Sequence, residues 1–182
     1  ATGSARSVPG FDLYQAIDSC SDLLENFGGH MYAAGLTLKV ENVEKFKVRF
    51  EKVVEETITD DMMVPMVEID SELSLTEIDD KFFRILKQFQ PFGPGNMSPV
   101  FVTRGVVDNG DGRVVGLDQD HLKLDLIQED NPYKPIAAIG FQHATHFEHI
   151  QQGKAFDVCY AIAENTYRGV SSIQLRIKDI KY

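Results

Sequence analysis

The 182-residue chain is poor in cysteine, in long apolar runs and in positive charge. Only Cys20 and Cys159 occur, far apart and each inside an apolar pattern. That excludes a disulfide-stapled scaffold and reads as two buried thiols in a reducing, cytoplasmic compartment. No apolar run approaches the roughly 18 residues that a membrane span needs, and no secretory signal opens the chain. A membrane partner is therefore not expected. Asn96-Met97-Ser98 matches a glycosylation sequon, but beside prolines and without a signal it is discounted. The chain begins without Met, directly on its first motif, so a fragment of a longer protein is expected.

Lys and Arg number 18 against 28 Asp and Glu, a net charge of −10. Residues 1–100 carry 9 against 17, a net of −8, and residues 101–182 carry 9 against 11, a net of −2. The sum argues against tight, non-specific coating of DNA. It leaves room for a narrow cationic groove in the second half. With 43% hydrophobic and 25% charged residues the chain has the composition of a globular protein, long enough for one domain or two small ones.

Periodicity divides the chain. Leu13, Ile17, Cys20, Leu24 and Phe27 recur at helical spacing after an Asp12 cap, with Gly28 as a left-handed stop. Tyr32–Val40 reads as a strand. Asn42 is placed to cap a helix striped by Val43, Phe46, Phe50, Val53 and Val54. Val64–Ile69 reads as a short strand, and Ser74 with Glu77 as a capping box for a helix striped by Leu75, Ile78, Phe82, Ile85 and Phe89. QPFGPGNMSP, residues 90–99, is a loop. Beyond it Val100–Val107, Arg113–Leu117, His121–Ile127, Ile136–Phe141, Phe156–Glu164 and Ser171–Ile180 read as strands. Asn109–Gly112 and Asn165–Gly169 are turns, and a short helix covers His143–Gln152. The expected fold class is α+β: a small α/β unit over residues 1–62, then residues 63–182 with a leading strand and helix (63–99) and a five-stranded barrel of the OB type (100–182).

Two segments carry chemistry. GSARS (Gly3–Ser7) and FGGHMYAAGLTL (Phe27–Leu38) supply hydroxyls, a guanidinium, a Gly-Gly backbone and an imidazole, the donor types that gather around a phosphate. On an extended strand Ser4 and Arg6 point to one side and Ser7 to the other. The same residues also fit an exposed terminus and a helix C-cap with a bystander histidine. In the barrel, Arg104, Lys123, Phe141, Tyr160, Tyr167, Arg168, Arg176 and Lys178 mix cations with rings, as single-strand binders do. Phe141 and Tyr160 read as barrel filling, and Lys123, Tyr167, Arg168 and Arg176 as surface candidates. His143, His146 and His149 turn apart on a helix and read as a solvated face rather than a metal site. Glu51–Glu56, Asp60 and Asp61 read as solvated charge that repels DNA.

GSARS–PGFDLY followed by LLENFGGHMYAAGLTL resembles the DHHA1 domain of the DHH phosphoesterases. PFGPGNMSPVF, HLKLDL, AAIGF and YRGVSSIQLRIKDI are similar to the OB-fold domain of the RecJ family of single-strand-specific exonucleases. The resemblance covers essentially the whole chain. It implies the substrate-binding part of a 5′ to 3′ exonuclease of DNA repair and recombination, with Ser4, Arg6, Ser7, Gly28, Gly29 and His30 at the substrate phosphate. It implies two Mn²⁺ or Mg²⁺ ions held by a preceding DHH domain, and single-stranded DNA, a single-strand-binding protein and a helicase as partners. This chain has no DHH triplet. No metal ligand, cofactor or catalytic residue is assigned within it, and it is expected not to cut DNA alone. The alternatives are a non-catalytic OB interaction module and a sister DHH–DHHA1 enzyme acting on short oligonucleotides.

Overall fold

A computed structural model of the chain describes residues 1–129 and 131–182. They form two compact units, Ala1–Met66 and Val67–Tyr182. No helix is long and apolar enough to cross a membrane.

The first unit is built on strands β1 (Thr2–Arg6), β2 (Asn26–His30) and β3 (Ala33–Thr37). They form an antiparallel sheet in the order β1-β3-β2. Helix α1 (Leu13–Asp18) and helix α2 (Val43–Thr57) supply the apolar cover, and a one-turn helix α3 (Asp60–Met63) follows. Asp12 caps α1 by accepting from the Gln15 amide at 3.1 Å. Phe11, Leu13, Ala16 and Ile17 meet Ala34 of the sheet, with Ala5, Phe27, Leu36, Val53 and Val54 packed around them. Burying one side chain such as Ile17 contributes about 1.5–3 kcal/mol.

Four expectations need correction here. The apolar stripe from Leu13 to Phe27 does not make one helix. Ser19 turns back on Gln15, its amide and its hydroxyl both donating to that carbonyl. The Glu25 amide then donates to Thr37 at 2.8 Å, drawing the chain into the sheet. Gly28 and Gly29 accordingly sit inside a strand and cap no helix. Asn42 caps nothing and donates instead to the Leu23 carbonyl at 3.1 Å. Val64–Ile69 forms no strand: the ladder with the strand that begins at Phe101 starts only at Ser71.

The second unit opens with β4 (Ser71–Glu72) and helix α4 (Asp80–Lys87). Ser74 and Glu77 do form a capping box, but it closes a single 3₁₀ turn, and Asp79 starts the helix afresh by accepting from Phe82. Six strands follow: β5 (Phe101–Asp108), β6 (Arg113–Val115), β7 (His121–Gln128), β8 (Asn131–Gly140), β9 (Phe156–Tyr167) and β10 (Val170–Lys181). Between β8 and β9 lies the short helix α5 (Phe147–Ile150). The sheet order is β4-β5-β9-β10-β8-β7-β6, and a further β5–β7 pairing (Val107 with Ile127, Asp108 with Leu126) brings the ends together. β5, β7, β8, β10 and β9 thus form an OB-type ring, with β8 and β10 parallel and every other neighbouring pair antiparallel. Its interior holds Val106, Leu122, Leu124, Leu126, Val158, Tyr160 and Leu175.

Tyr160 is the one interior ring with a polar tip among these. The Thr103 hydroxyl donates to the Leu73 carbonyl at 2.8 Å and therefore accepts from the Tyr160 hydroxyl at 2.6 Å. Burial pushes the Tyr160 phenol up to about 12, against the opposing pull of the Thr103 bond. Thr103→Val is expected to strand that hydroxyl and cost about 1–3 kcal/mol in urea unfolding. Adding Tyr160→Phe should recover most of the loss. A double variant no more stable than Thr103→Val would show that the bond is not what Thr103 contributes.

Candidate substrate-binding site

In the first unit, register decides which residues share a face. Arg6 and His30 both pair with Ala33, Ser4 and Gly28 with Gly35, and Thr2 and Asn26 with Thr37. Directly paired residues point to the same side of a sheet. The intervening set, Ala5, Ala34, Gly29, Leu36 and Phe27, faces the helices. The opposite face is bare. It carries three transverse rows: Arg6–Ala33–His30, Ser4–Gly35–Gly28 and Thr2–Thr37–Asn26. Arg6 and His30 therefore flank a single alanine, two strand spacings or about 10 Å apart, close enough for both side chains to reach one anion lying over Ala33.

The donor state of this row is fixed by its neighbours. The Tyr32 amide donates to His30 Nδ1 at 3.2 Å, so neutral His30 carries its proton on Nε2, on the far side of the ring. Arg6 spends one N–H on the Ala5 carbonyl at 2.9 Å and makes no ion pair among the described residues. Arg49 pairs with Asp22, Lys47 with Glu44 and Lys52 with Glu56, so those cations of the unit are already matched. Ser7 lies past the end of β1, and its hydroxyl donates to the Phe11 carbonyl at 2.7 Å. It shapes the turn that holds Arg6.

The two glycines of the GGH run differ in kind. A Cβ on Gly29 would stand 2.2 Å from the Ala33 oxygen and 2.6 Å from Ala34 Cα, so packing alone demands glycine there. A Cβ on Gly28 would meet nothing within 4 Å, and one on Gly35 only the Gly3 oxygen at 3.9 Å. At Gly35 and Gly28 the middle row of the open face is thus free of side chains without any internal need to be. A shallow depression of about 300 Å³ adjoins it, lined by Thr2, Asn26, Gly28, Gly35 and Thr37 among others. A planar strip of exposed backbone beside a guanidinium, an imidazole N–H and a hydroxyl is suited to an anionic, flat-backed ligand.

In the second unit the outward side chains form another row. Arg113 pairs with Lys123, Lys123 with Ile139, and Ile139 with Arg176, setting three cations across adjacent strands. Arg113 was missed from sequence because its cross-strand partners are invisible there. Tyr167 and Arg168 lie at the tip of the β9–β10 hairpin, the guanidinium 5.3 Å from the ring centre. Arg168 and Gly169 take the left-handed turn that a two-residue hairpin needs. Arg104, by contrast, is held by Glu72 at 3.0 Å and Asp157 at 2.9 Å, and these bonds raise its pKa further.

Two more expectations fail. Phe141 does not fill the barrel: it is 47% exposed, one position past the end of β8 and on that strand's outward side. The three histidines are not a solvated face, since all are partly buried. The His146 Nδ1 lies 2.7 Å from the Tyr182 hydroxyl, and the His149 ring lies tilted against Tyr182 with its centre 3.6 Å away. Burial, then the neighbouring His143, lowers the His146 pKa. Cys20 is fully buried and Cys159 only partly, both as free thiols. Among the described residues no three His, Cys, Asp or Glu gather to hold a metal ion. The donor set of the described residues therefore does not make up a two-metal centre.

The second unit is thus an OB-type barrel, and the first carries an open sheet face with anion-binding donors. Residues 69–179 match the RecJ OB domain family and residues 1–56 the DHHA1 domain family. The chain belongs to the RecJ OB domain family. It is 31% identical to the single-stranded-DNA-specific exonuclease RecJ of Bacillus subtilis, over 98% of this chain and 22% of that protein. To the protein of the same name from Haemophilus influenzae it is 26% identical, over 98% of this chain and 31% of the other. It therefore spans between a fifth and a third of these relatives' length. In fold it is similar to the RecJ of Thermus thermophilus crystallised with Mg²⁺, with a TM-score of 0.74 and 24% identity over 100% of this chain and 27% of that one. With the Mn²⁺ complex of the same protein the TM-score is 0.76, at 23% identity.

Proposed function

We propose that this chain is the substrate-holding portion of a RecJ-type exonuclease that degrades single-stranded DNA from its 5′ end. The observation that carries the reading is the Arg6–Ala33–His30 row beside the bare Gly28–Gly35 backbone, on a chain matching RecJ relatives along nearly its whole length. Arg6 binds a backbone phosphate through charge-assisted N–H bonds, and His30 donates to the same group from Nε2. Ser4 adds a hydroxyl from the neighbouring row. Gly28 and Gly29 serve differently: Gly28 lets the nucleotide backbone lie against the sheet, and Gly29 keeps the sheet able to form. Ser7 acts through the turn rather than by contact.

Together these groups orient a phosphodiester and neutralise its charge. The hydrolytic centre, where Mg²⁺ or Mn²⁺ would supply the activation of water, would lie in a part of the protein outside this chain. The chain alone does not hydrolyse DNA. In the second unit Lys123, Arg176, Tyr167 and Arg168 hold the strand beyond the cleavage point.

The test is a fluorescence titration of the 182-residue chain with oligo-dT and with matched duplex, each at two salt concentrations. Single-stranded DNA should bind and duplex should bind far more weakly. The log of affinity should fall with log salt at about −0.7 per phosphate neutralised. Equal affinity for both forms, or no salt slope, would replace this reading with that of a protein-docking module.

A further inference from the structure

We propose that Phe141 is a base-stacking platform and that the outward column of the β9–β10 hairpin, running from Phe141 and Arg176 to Tyr167 and Arg168, is the track along which the strand lies. This rests on the single-stranded-DNA reading above and adds to it a residue and a path.

Phe141 is large, apolar and 47% exposed, yet it is held in place. The Arg176 guanidinium stands over its ring at 5.6 Å, and the His121 ring meets it edge-on at 5.0 Å. His121 is itself fixed, its Nδ1 lying 2.7 Å from Asp120 Oδ1. A ring that is pre-positioned, half-open to solvent and backed by a cation has the properties a stacked base selects. It is absent from the barrel's interior cluster, so core packing does not account for it.

The same device recurs at the other end of the hairpin, where Tyr167 is 65% exposed under Arg168. Register links the two. Arg176 pairs with Ala161, Gln174 with Ala163, Ser172 with Asn165, and Val170 with Tyr167, all on one face by alternation. None of these residues is acidic, in a chain of net charge −10. Glu164, the carboxylate of β9 next to this column, lies on the other face and is paired with Lys87 at 2.7 Å, while Asp120 is engaged with His121. From Ala161 to Tyr167 the column spans about 20 Å. It is a neutral, narrow ribbon with an aromatic ring and a guanidinium at each end. Lys123 and Arg113 continue the cationic row sideways from Arg176.

The experiment uses the full 182-residue chain and oligo-dT carrying single 2-aminopurine substitutions. Phe141→Ala should weaken binding about 5- to 150-fold, the range of one lost stacked base. It should abolish fluorescence quenching at one nucleotide position and leave the salt slope unchanged, since no counterion is involved. Phe141→Tyr should keep both affinity and quenching. Arg176→Gln should instead lower the salt slope by about 0.7. Tyr167→Ala should weaken only oligonucleotides long enough to span the ribbon. If the wild-type chain binds single strands while Phe141→Ala binds them equally well, the platform is wrong and the substrate reading stands. If the wild-type chain binds no single strand, both fall.

Discussion

Gly29→Ala is expected to unfold the first unit, whereas Gly28→Ala, one residue earlier, should leave it folded and impair only binding. The added methyl at position 29 lands 2.2 Å from a backbone oxygen and 2.6 Å from a backbone Cα. Neither can retreat, because Ala33 and Ala34 belong to the central strand and pair on both sides. The cost should reach about 4 kcal/mol, the range reserved for broken backbone or core geometry. A unit as small as the first has little stability in reserve. At position 28 the methyl enters open space. Thermal unfolding should separate the two variants cleanly, and oligonucleotide titration should show Gly28→Ala weakened at an unchanged melting temperature. Equal destabilisation by both, or wild-type binding by Gly28→Ala, would remove the close-approach role of the bare strip.

Arg6→Ala should cost the complete protein about 10- to 150-fold in capture of a 5′-phosphorylated single strand, the worth of one charge-assisted bond to a phosphate. Arg6→Lys should restore only part of this, because an ammonium cannot present two parallel N–H groups to one phosphate. His30→Ala should lose less, because the imidazole offers the phosphate one N–H from Nε2 where the guanidinium offers two. If both residues grip the same anion across Ala33, the double variant will lose less than the product of the two single losses. Independent effects would mean that the two side chains hold different groups. Unchanged kinetics for Arg6→Ala would refute the assignment outright.

Much of this site can be read from the residues in order. The spacing of Ser4 and Arg6 puts them on one side of any strand, and the donor chemistry of Arg6 and His30 is written in their side chains. The barrel strands follow from alternation, with Phe141 as the instructive failure. AAIGF reads as a buried strand, but Gly140 is the last paired residue and the next side chain turns outward onto Arg176. The run from Leu13 to Phe27 misleads in the opposite sense. Its apolar residues do enter the core, yet several of them arrive there from a turn and a strand. Periodicity reported that they were buried, and hydrogen bonds to a strand further along the chain decided from which backbone. The His143–His149 segment shows the same limit, because the ring that covers it, Tyr182, lies at the far end of the sequence.

Residue order alone determined the α+β class, the OB-type succession of strands and the donor chemistry gathered in the first thirty or so residues. Only the tertiary structure decided that Arg6 and His30 share one row, that the paired glycines differ in what surrounds them, and that Phe141 faces solvent. The division has one cause. Local pattern fixes which side of its own strand a residue occupies, but which residues stand beside it depends on the register between strands distant in sequence, and register is set by pairing and packing across the whole unit.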